Sequence, residues 1–351
     1  MAYYKVEYLS LVMGLTTCGD TKGSMSGVSV ATTTPGGGPG GTVLSSGQYV
    51  WTLPLLSANG PGVGGWEFGI QYLRYNGIDG VLGPNWNYTQ NIHLEEDVAG
   101  SVVLVTGENF REPFEPDPHD PYRYLSDQNN TAAVLTRSRY GQDEFTLTSS
   151  KGNVTKFYGF NTALPGRIKS ITDRYGNTQT FVWTRTGAVD QLLSVTDGYG
   201  RTMEYRYYGS EGKHRLREIE DFLGRKLNFQ YDGEGRLAAV VLPSIAKGAE
   251  GNTFPGGTAY VFEYDTANPR GDRRDDLIRV WFPNQAAPYV DAATRTVDRS
   301  RVYSEAKPRY EVAYGQTPGE DYGRVIRAGR PERGSGRDVP DRLSDGRVAG
   351  E

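Results

Sequence analysis

The feature that most constrains this chain is an internal period of 24 residues. Glycines recur at this step, an aromatic residue follows each glycine after five positions, and aspartates keep the same step. The recurring positions are Gly152, Gly176, Gly200 and Gly224, then Phe157, Phe181, Tyr205 and Phe229, and finally Asp173, Asp197 and Asp221. A period shared by several residue types indicates an array of repeats, in which each unit buries its apolar face only against its neighbours.

Each repeat is predicted to contain β-strands. Large side chains alternate along two stretches, at Met203, Tyr205 and Tyr207 and at Leu227, Phe229 and Tyr231. A period of two places such side chains on one face of a strand. The apolar pair Ile168 and Ile171 is instead three residues apart, and Leu192 and Val195 repeat that spacing. We therefore expect a bend or β-bulge in the first strand of each repeat.

The segments between the strands are predicted to be tight turns. Three of them share the pattern Asp-x-x-Gly followed by Asn or Arg, at 173–177, 197–201 and 221–225. The aspartate can accept hydrogen bonds from its own main chain, and the glycine can supply a positive φ. Asp232-Gly-Glu-Gly235 and Thr184-Arg-Thr-Gly187 provide further turns, so that one unit holds two strands and two turns.

Composition predicts an all-β protein. The 351 residues include 46 glycines and 24 tyrosines, a combination that favours short strands and tight turns over helices. A net charge of −4 with no basic patch argues against nucleic acid as a partner. The single cysteine, Cys18, excludes an intramolecular disulfide and a cysteine-based zinc site. No apolar run approaches the ~20 residues that a membrane span requires.

Changes in composition and in strand pattern along the sequence predict four regions. Residues 1–63 form a disordered leader and a linker rich in Gly, Pro and Thr, without a convincing signal peptide. Residues 64–150 form a strand-rich region that precedes the repeats, and residues 151–325 form the repeat segment. Residues 326–351 contain no aromatic side chain and are predicted to be a disordered tail.

The repeats resemble those of a known family. The most complete unit runs from Leu216 to Gly235 and contains Tyr231-Asp232, and its pattern is similar to the tyrosine-aspartate (YD) repeat of the Rhs and teneurin proteins. The stretch from Gly65 to Leu94 similarly resembles the region that precedes the repeats in bacterial Rhs proteins. Together the resemblance covers about residues 64–325.

The resemblance implies a fold and a role. It implies a spiral β-shell, here a fragment of about four 24-residue units, which in bacterial relatives encloses a C-terminal toxin that is delivered to competing cells. In teneurins a similar shell serves recognition at the cell surface. The Asp-Pro-x-Gly autocleavage motif of the relatives has no counterpart, because Asp117-Pro118 and Asp120-Pro121 precede the repeats and lack the glycine. The sequence thus resembles the N-terminal portion of a larger protein, or a truncated gene product.

No set of side chains predicts catalysis. His93, His119 and His214 lie in different regions and have no partner at metal-ligand spacing. Glu95 and Glu96 are adjacent, so on a strand they point to opposite faces and cannot flank one bond. We therefore expect no enzyme activity, no cofactor and no metal. The recurring aspartates are interpreted as turn residues, and the charged run at 271–276 as a solvated loop.

Two functions remain open. The first is a non-enzymatic structural module that encloses a C-terminal toxin or passenger polypeptide. The second is a cell-surface module that binds carbohydrate or protein through an aromatic-rich β-sheet. An alternating aromatic stripe is more often core or lining than a ligand site, which favours the first function. The resemblance implies a location outside the cell, either secreted or associated with the cell surface.

Overall fold

The computed structural model describes residues 32–33, 40–43, 49–75, 77–98, 100–126, 133–246, 253–315 and 324–329, the first two ranges by their main chain only. The predicted leader up to residue 31 and the predicted tail from residue 330 lie outside the described residues. The protein is all-β, as its composition predicts, with 51% of the described residues in strands and 9% in helices. None of the helices in the described ranges is long and apolar enough to cross a membrane.

The strands are numbered in chain order. The first nine are β1 (Thr32–Thr33), β2 (Gly40–Val43), β3 (Tyr49–Ala58), β4 (Trp66–Leu73), β5 (Asp79–Gly80), β6 (Gly83–Pro84), β7 (Trp86–Tyr88), β8 (His93–Glu96) and β9 (Val102–Val105). The next six are β10 (Arg111–Asp117), β11 (Asp120–Leu125), β12 (Val134–Arg137), β13 (Glu144–Thr148), β14 (Val154–Tyr158) and β15 (Ile168–Thr172).

The remaining strands belong to the repeats and to the region that follows them. They are β16 (Thr178–Thr186), β17 (Val189–Thr196), β18 (Thr202–Tyr207), β19 (Leu216–Glu220), β20 (Lys226–Tyr231), β21 (Leu237–Val241), β22 (Ala259–Tyr264), β23 (Leu277–Trp281), β24 (Tyr310–Tyr314) and β25 (Val325–Gly329). Two short α-helices, α1 (Pro283–Ala286) and α2 (Arg299–Glu305), are described, together with the 3₁₀ helices Gly62–Gly64, Ser210–Gly212, Gly271–Arg273 and Ala287–Tyr289.

The described chain forms two compact units. Unit 1 contains the described residues of 52–229, and unit 2 contains those of 30–51 and 230–351. In unit 1, strands β8 to β20 follow one another as an antiparallel meander in which each strand pairs with the next. A second sheet of unit 1 has the order β3, β4, β7. Every second residue of β4 is buried, so this strand has one apolar face.

A β-bulge recurs in the first strand of each repeat, as the three-residue apolar spacing predicts. Lys169, Leu193 and Arg217 are the extra residues of β15, β17 and β19. Each bulge turns the residues on both sides of it toward the same face. The four apolar residues that flank the first two bulges are therefore fully buried, namely Ile168, Ile171, Leu192 and Val195.

Unit 2 also contains an antiparallel meander, formed by β21 to β25. All five residues of β21 are buried, and Ala239 and Val241 pack with Val302 of α2. Helix α2 begins after Asp298, whose carboxylate accepts a hydrogen bond from the main-chain N–H of Arg301 at 3.2 Å. Such a cap satisfies one of the free N–H groups at a helix start.

The predicted disordered regions are shorter than expected. Residues 49–58, assigned from sequence to the leader and linker, form β3, in which Tyr49, Trp51 and Leu53 are at most 2% exposed. Residues 326–329, assigned to the tail, belong to β25, which pairs with β24. Both strands are short apolar stretches next to segments rich in glycine or arginine. The composition of those neighbouring segments masks the strand pattern in the sequence. Disorder was therefore the wrong prediction for these residues.

The run at 271–276 is only in part the solvated loop that its charges predict: Asp272 and Arg274 are exposed, but two other charged residues are buried. Arg273 and Asp276 are each 1% exposed and form an ion pair in which Nε and Oδ2 are 3.3 Å apart. Nη1 of Arg273 also donates to the carbonyl of Gly315 at 3.0 Å. The 3₁₀ helix Gly271–Arg273 brings the two charges together, and the more distant carbonyl partner leaves no trace in the local sequence.

Candidate functional site: the repeat turns and the buried face of the repeat sheet

The three Asp-x-x-Gly turns have one geometry. Each aspartate donates its main-chain N–H to the carbonyl of the fifth turn residue and accepts the glycine N–H on its own carbonyl, at 2.8 to 3.0 Å. Each carboxylate Oδ1 also accepts the N–H groups of the third and fifth residues at 2.9 to 3.0 Å. The glycines have positive φ values of 87° at Gly176, 77° at Gly200 and 73° at Gly224. The turns therefore form as their residue types predict.

The fifth turn residue completes the site of the aspartate. Nδ2 of Asn177 donates to Oδ2 of Asp173 at 2.8 Å. Nε of Arg201 and Nε of Arg225 donate to Asp197 and Asp221 at 2.7 Å. Burial raises the pKa of Asp173, but the hydrogen bonds from Asn177 and from main-chain N–H groups outweigh it and hold that pKa below its usual value. The aspartates thus act as acceptors at the centre of each turn.

Two further turns show how far the pattern extends. At Gly152, with φ 80°, the position of the aspartate is taken by Ser149, whose Oγ accepts the N–H of Asn153 at 3.1 Å. In unit 2, Asp232 accepts the N–H groups of Glu234 and Arg236 at 3.0 and 2.9 Å. Asp232 of the Tyr-Asp pair therefore has the same role in its turn as the other aspartates. The side chain of the preceding Tyr231 is half-buried.

The recurring aromatic positions lie on one face of the meander, which we call the buried face. Phe157, Phe181, Tyr205 and Phe229 are at most 5% exposed. In unit 1 this face packs against β4: the ring of Phe68 lies 6.1 Å from Tyr205 and 5.9 Å from Phe229, in edge-on contacts. Nε1 of Trp66 donates to the Tyr205 hydroxyl at 3.1 Å. These four recurring aromatics are thus covered by the chain itself and are not available to stack on a sugar.

The opposite face of the meander carries charge. Arg206 donates to Glu204, Glu218 and Glu220 at 2.5 to 2.7 Å. Its guanidinium holds the pKa of Glu220 below the usual range of a glutamate. The two faces differ in character because residues alternate between them, so the sheet has one side for apolar contact and one for water.

A second recurring contact involves aromatic residues opposite the bulges. Nε1 of Trp183 donates to the carbonyl of Ile168 at 2.9 Å, and the Tyr207 hydroxyl donates to the carbonyl of Leu192 at 2.9 Å. In unit 2, Tyr264 and Tyr314 make the equivalent bonds to Leu237 and Leu277. A bulge interrupts the regular ladder of main-chain hydrogen bonds. These side chains supply a donor to carbonyl groups at or near the bulged strands.

Replacing Tyr207 by phenylalanine is expected to lower the free energy of unfolding by about 1 kcal/mol, because the carbonyl of Leu192 loses its donor while the ring remains. The matched control is Tyr199→Phe, which removes a hydroxyl from a side chain that is 65% exposed. Chemical denaturation monitored by circular dichroism measures both variants. Equal losses in the two would show that the bond to Leu192 contributes nothing specific.

Two carboxyl groups meet at a small cleft in unit 1. Glu67 and Glu108 line it together with Gly69, Gln71 and Thr89 among others, and its volume of 20 Å³ is about the room of one water molecule. No lysine, arginine or histidine is among the described residues that line the cleft. Burial raises the pKa of Glu67, and burial and then the negative charge of Glu67 raise the pKa of Glu108.

Replacing Glu108 by glutamine is expected to stabilise the protein at pH 7, on the order of 1 kcal/mol, by removing a half-buried charge that has no cation among the described residues of the cleft. A carboxyl whose pKa is raised in the folded state contributes its stability below the ordinary value of 4.5 and loses it as the pH rises through the folded pKa. Denaturation from pH 4 to 8 measures this loss, which should be smaller in the variant because only Glu67 then keeps a raised pKa. Glu96→Gln, on an exposed position of β8, should leave the profile unchanged.

The residues considered for catalysis stay apart. His93 contacts Glu95, which also binds Arg111, while His119 lies in the turn between β10 and β11 and His214 in the loop between β18 and β19. Within the described ranges, no group of three or more His, Cys, Asp or Glu side chains is placed to hold a metal ion. The most exposed aromatic residues lie between strands instead, with Tyr140 92%, Tyr175 74% and Tyr199 65% exposed.

Comparison with known proteins gives a weak likeness at the level of fold. No family model matches the sequence, and no curated protein matches it. The crystal structure of TcdB2-TccC3-Cdc42 is similar with a TM-score of 0.27 and 13% identity, over 83% of this chain and 15% of that one. The crystal structure of TcdB2-TccC3 is similar with a TM-score of 0.22 and 11% identity, over 76% of this chain and 15% of that one. The chain thus spans about 15% of the length of these structures.

Proposed function

We propose that this chain is a non-enzymatic structural module of a YD-repeat protein, and that it forms part of a hollow β-shell around a C-terminal toxin or passenger polypeptide of a longer protein. The observation that supports this proposal is the covering of the buried face of the repeats by β4, a strand from outside the repeats. Because the apolar side chains of this face already bury one strand from outside the repeats, the same kind of face can bury other polypeptide.

The chemistry of the two faces fits this role. Polypeptide is buried well by edge-on aromatic contacts and by a small number of hydrogen bonds, such as the bond of Trp66 to Tyr205. The charged face around Arg206 suits contact with water. In this proposal β4 covers the buried face of the repeats in this chain, and the passenger packs against further repeats of the longer protein. Delivery to other cells would place the protein outside the cell, secreted or at the cell surface.

Protease protection tests the proposal. The polypeptide encoded in one reading frame, this chain with any sequence that follows it, is treated with a nonspecific protease before and after denaturation. A passenger enclosed by a shell is cut slowly until denaturation opens the shell. The same passenger expressed alone is the control, and equal cleavage rates for the two would reject enclosure.

The second candidate is a cell-surface module that binds carbohydrate or protein. It is favoured by the exposed turn tyrosines Tyr175 and Tyr199, because the recurring aromatics of the repeat strands are buried. Aromatic rings with a free face can stack on sugar rings. A glycan array with the full chain and with the double variant Tyr175→Ala/Tyr199→Ala tests this candidate. Binding that the double variant lacks would support it, and absence of binding by the full chain would reject it for carbohydrate.

A further inference from the structure

A short segment between β3 and β4 lies along three successive repeat turns. We call this segment, Ser57–Gly65, the strap. Nη2 of Arg225 donates to the carbonyl of Ser57 at 3.0 Å, and Nη2 of Arg201 donates to the carbonyl of Asn59. Farther along the strap, the main-chain N–H of Val63 donates to the carboxylate of Asp173. Three turns that are 24 residues apart in sequence therefore contact one continuous stretch of chain.

The groups that the strap offers to these turns belong to its main chain. A further bond of the same kind joins Nε2 of Gln179 to the carbonyl of Gly65 at 2.6 Å. Two strap positions constrain the side chain: Val63 is fully buried, and Gly62 has a φ of 52°. A Cβ atom at Gly62 would lie 1.9 Å from Oδ2 of Asp173. The polar contacts of the strap are therefore made by its main chain, its closest approach to a turn requires the absence of a side chain at Gly62, and Val63 adds a buried apolar side chain.

The fifth turn position differs between turns in a way that matches the strap. The Nδ2 of Asn177 donates to the aspartate of its own turn. This is the turn that Gly62 of the strap approaches most closely. Arg201 and Arg225 contact their turn aspartates through both Nε and Nη2, and the same Nη2 also donates to a carbonyl of the strap. An asparagine is too short for both tasks, whereas the planar guanidinium presents donors in two directions.

We infer that the arginine-type repeat turns form a binding site for peptide main chain, that the strap is its occupant, and that Asn or Arg at the fifth position decides whether a turn reaches a second segment. The difference between Asn177 on one side and Arg201 and Arg225 on the other is then a specificity device. An asparagine stands where the strap lies directly against the turn, and an arginine stands where a longer side chain must reach a carbonyl of the strap.

Hydrogen exchange of the full chain tests this inference. The variant Arg201→Asn/Arg225→Asn keeps a residue that completes the turn, as Asn177 does, and removes the donors to the strap. The expected result is exchange at least tenfold faster for strap amides, with unchanged exchange for the turn amides of Tyr199 and Leu223. Unchanged strap exchange, or faster exchange confined to the turns, would overturn the inference.

Two further variants secure the result. Ser57→Ala/Asn59→Ala changes strap side chains only, and it should leave strap exchange within about twofold of the original chain. A loss of protection equal to that of the arginine variant would show that side chains are recognised, and would also overturn the inference. If the double arginine variant does not fold, Arg201→Asn and Arg225→Asn are measured singly. Each should release the part of the strap near its own carbonyl acceptor, and a failure of both to do so counts against the proposal.

Discussion

Replacing Gly166 by alanine is expected to lower the free energy of unfolding by about 3 kcal/mol or more. Gly166 has a φ of 70°, and a Cβ atom there would lie 2.0 Å from the carbonyl oxygen of Leu94. The main chain at Leu94 cannot withdraw easily, because its N–H donates to the carbonyl of Gly166 at 2.9 Å. A conformational cost and a clash with main chain therefore act together. Chemical denaturation of the full chain measures the loss.

The matched control is Gly200→Ala in a repeat turn. Gly200 has a similar φ of 77°, but no atom lies within 4 Å of a Cβ placed there. Only the conformational cost remains, and we expect a loss of about 1 kcal/mol. If the two variants lose the same amount, the close approach of Leu94 has no energetic consequence.

This contrast also marks what the sequence could and could not predict. The turns, the alternation of buried residues and the bulges depend on residues within one repeat, so the periodic pattern predicted them. The tight contact at Gly166 depends on Leu94, which is far away in sequence and belongs to no repeat. The strap is of the same kind, because its bonds to Arg201 and Arg225 join residues 142 and 168 positions apart.

Some of the missed features did leave a signal in the sequence. Trp183 and Tyr207 keep the 24-residue step, and their place in the alternation predicts only that their rings lie on the buried face. Their polar atoms have the further task of binding the carbonyls of Ile168 and Leu192. A tryptophan and a tyrosine share a ring and one donor, whereas phenylalanine has no donor. The feature that recurs from one repeat to the next is therefore a side-chain hydrogen-bond donor, which a search for apolar periodicity overlooks.

The turn aspartates predict the second large effect. Replacing Asp197 by alanine is expected to lower the free energy of unfolding by about 3 kcal/mol, the lower end of the range for removing one partner of a buried ion pair. The Asp197 side chain is fully buried, while Arg201 remains 26% exposed and can recover some hydration. The loss leaves the N–H groups of Tyr199 and Arg201 without their acceptor. Chemical denaturation measures the change, and a loss below 1 kcal/mol would contradict this account of the turn.

The chain contains its own control for this experiment. Ser149 stands where the other turns have an aspartate, keeps both main-chain bonds of the turn, and accepts the N–H of Asn153 on its hydroxyl. A serine at 197 should therefore restore part of the stability that alanine loses, but it leaves Arg201 without a carboxylate. Asn153 accompanies Ser149 in the natural turn, so the double variant Asp197→Ser/Arg201→Asn should be more stable than the sum of the two single losses predicts. A strictly additive result would show that the aspartate and the fifth residue act independently, and that the turn is not the coupled pair its hydrogen bonds describe.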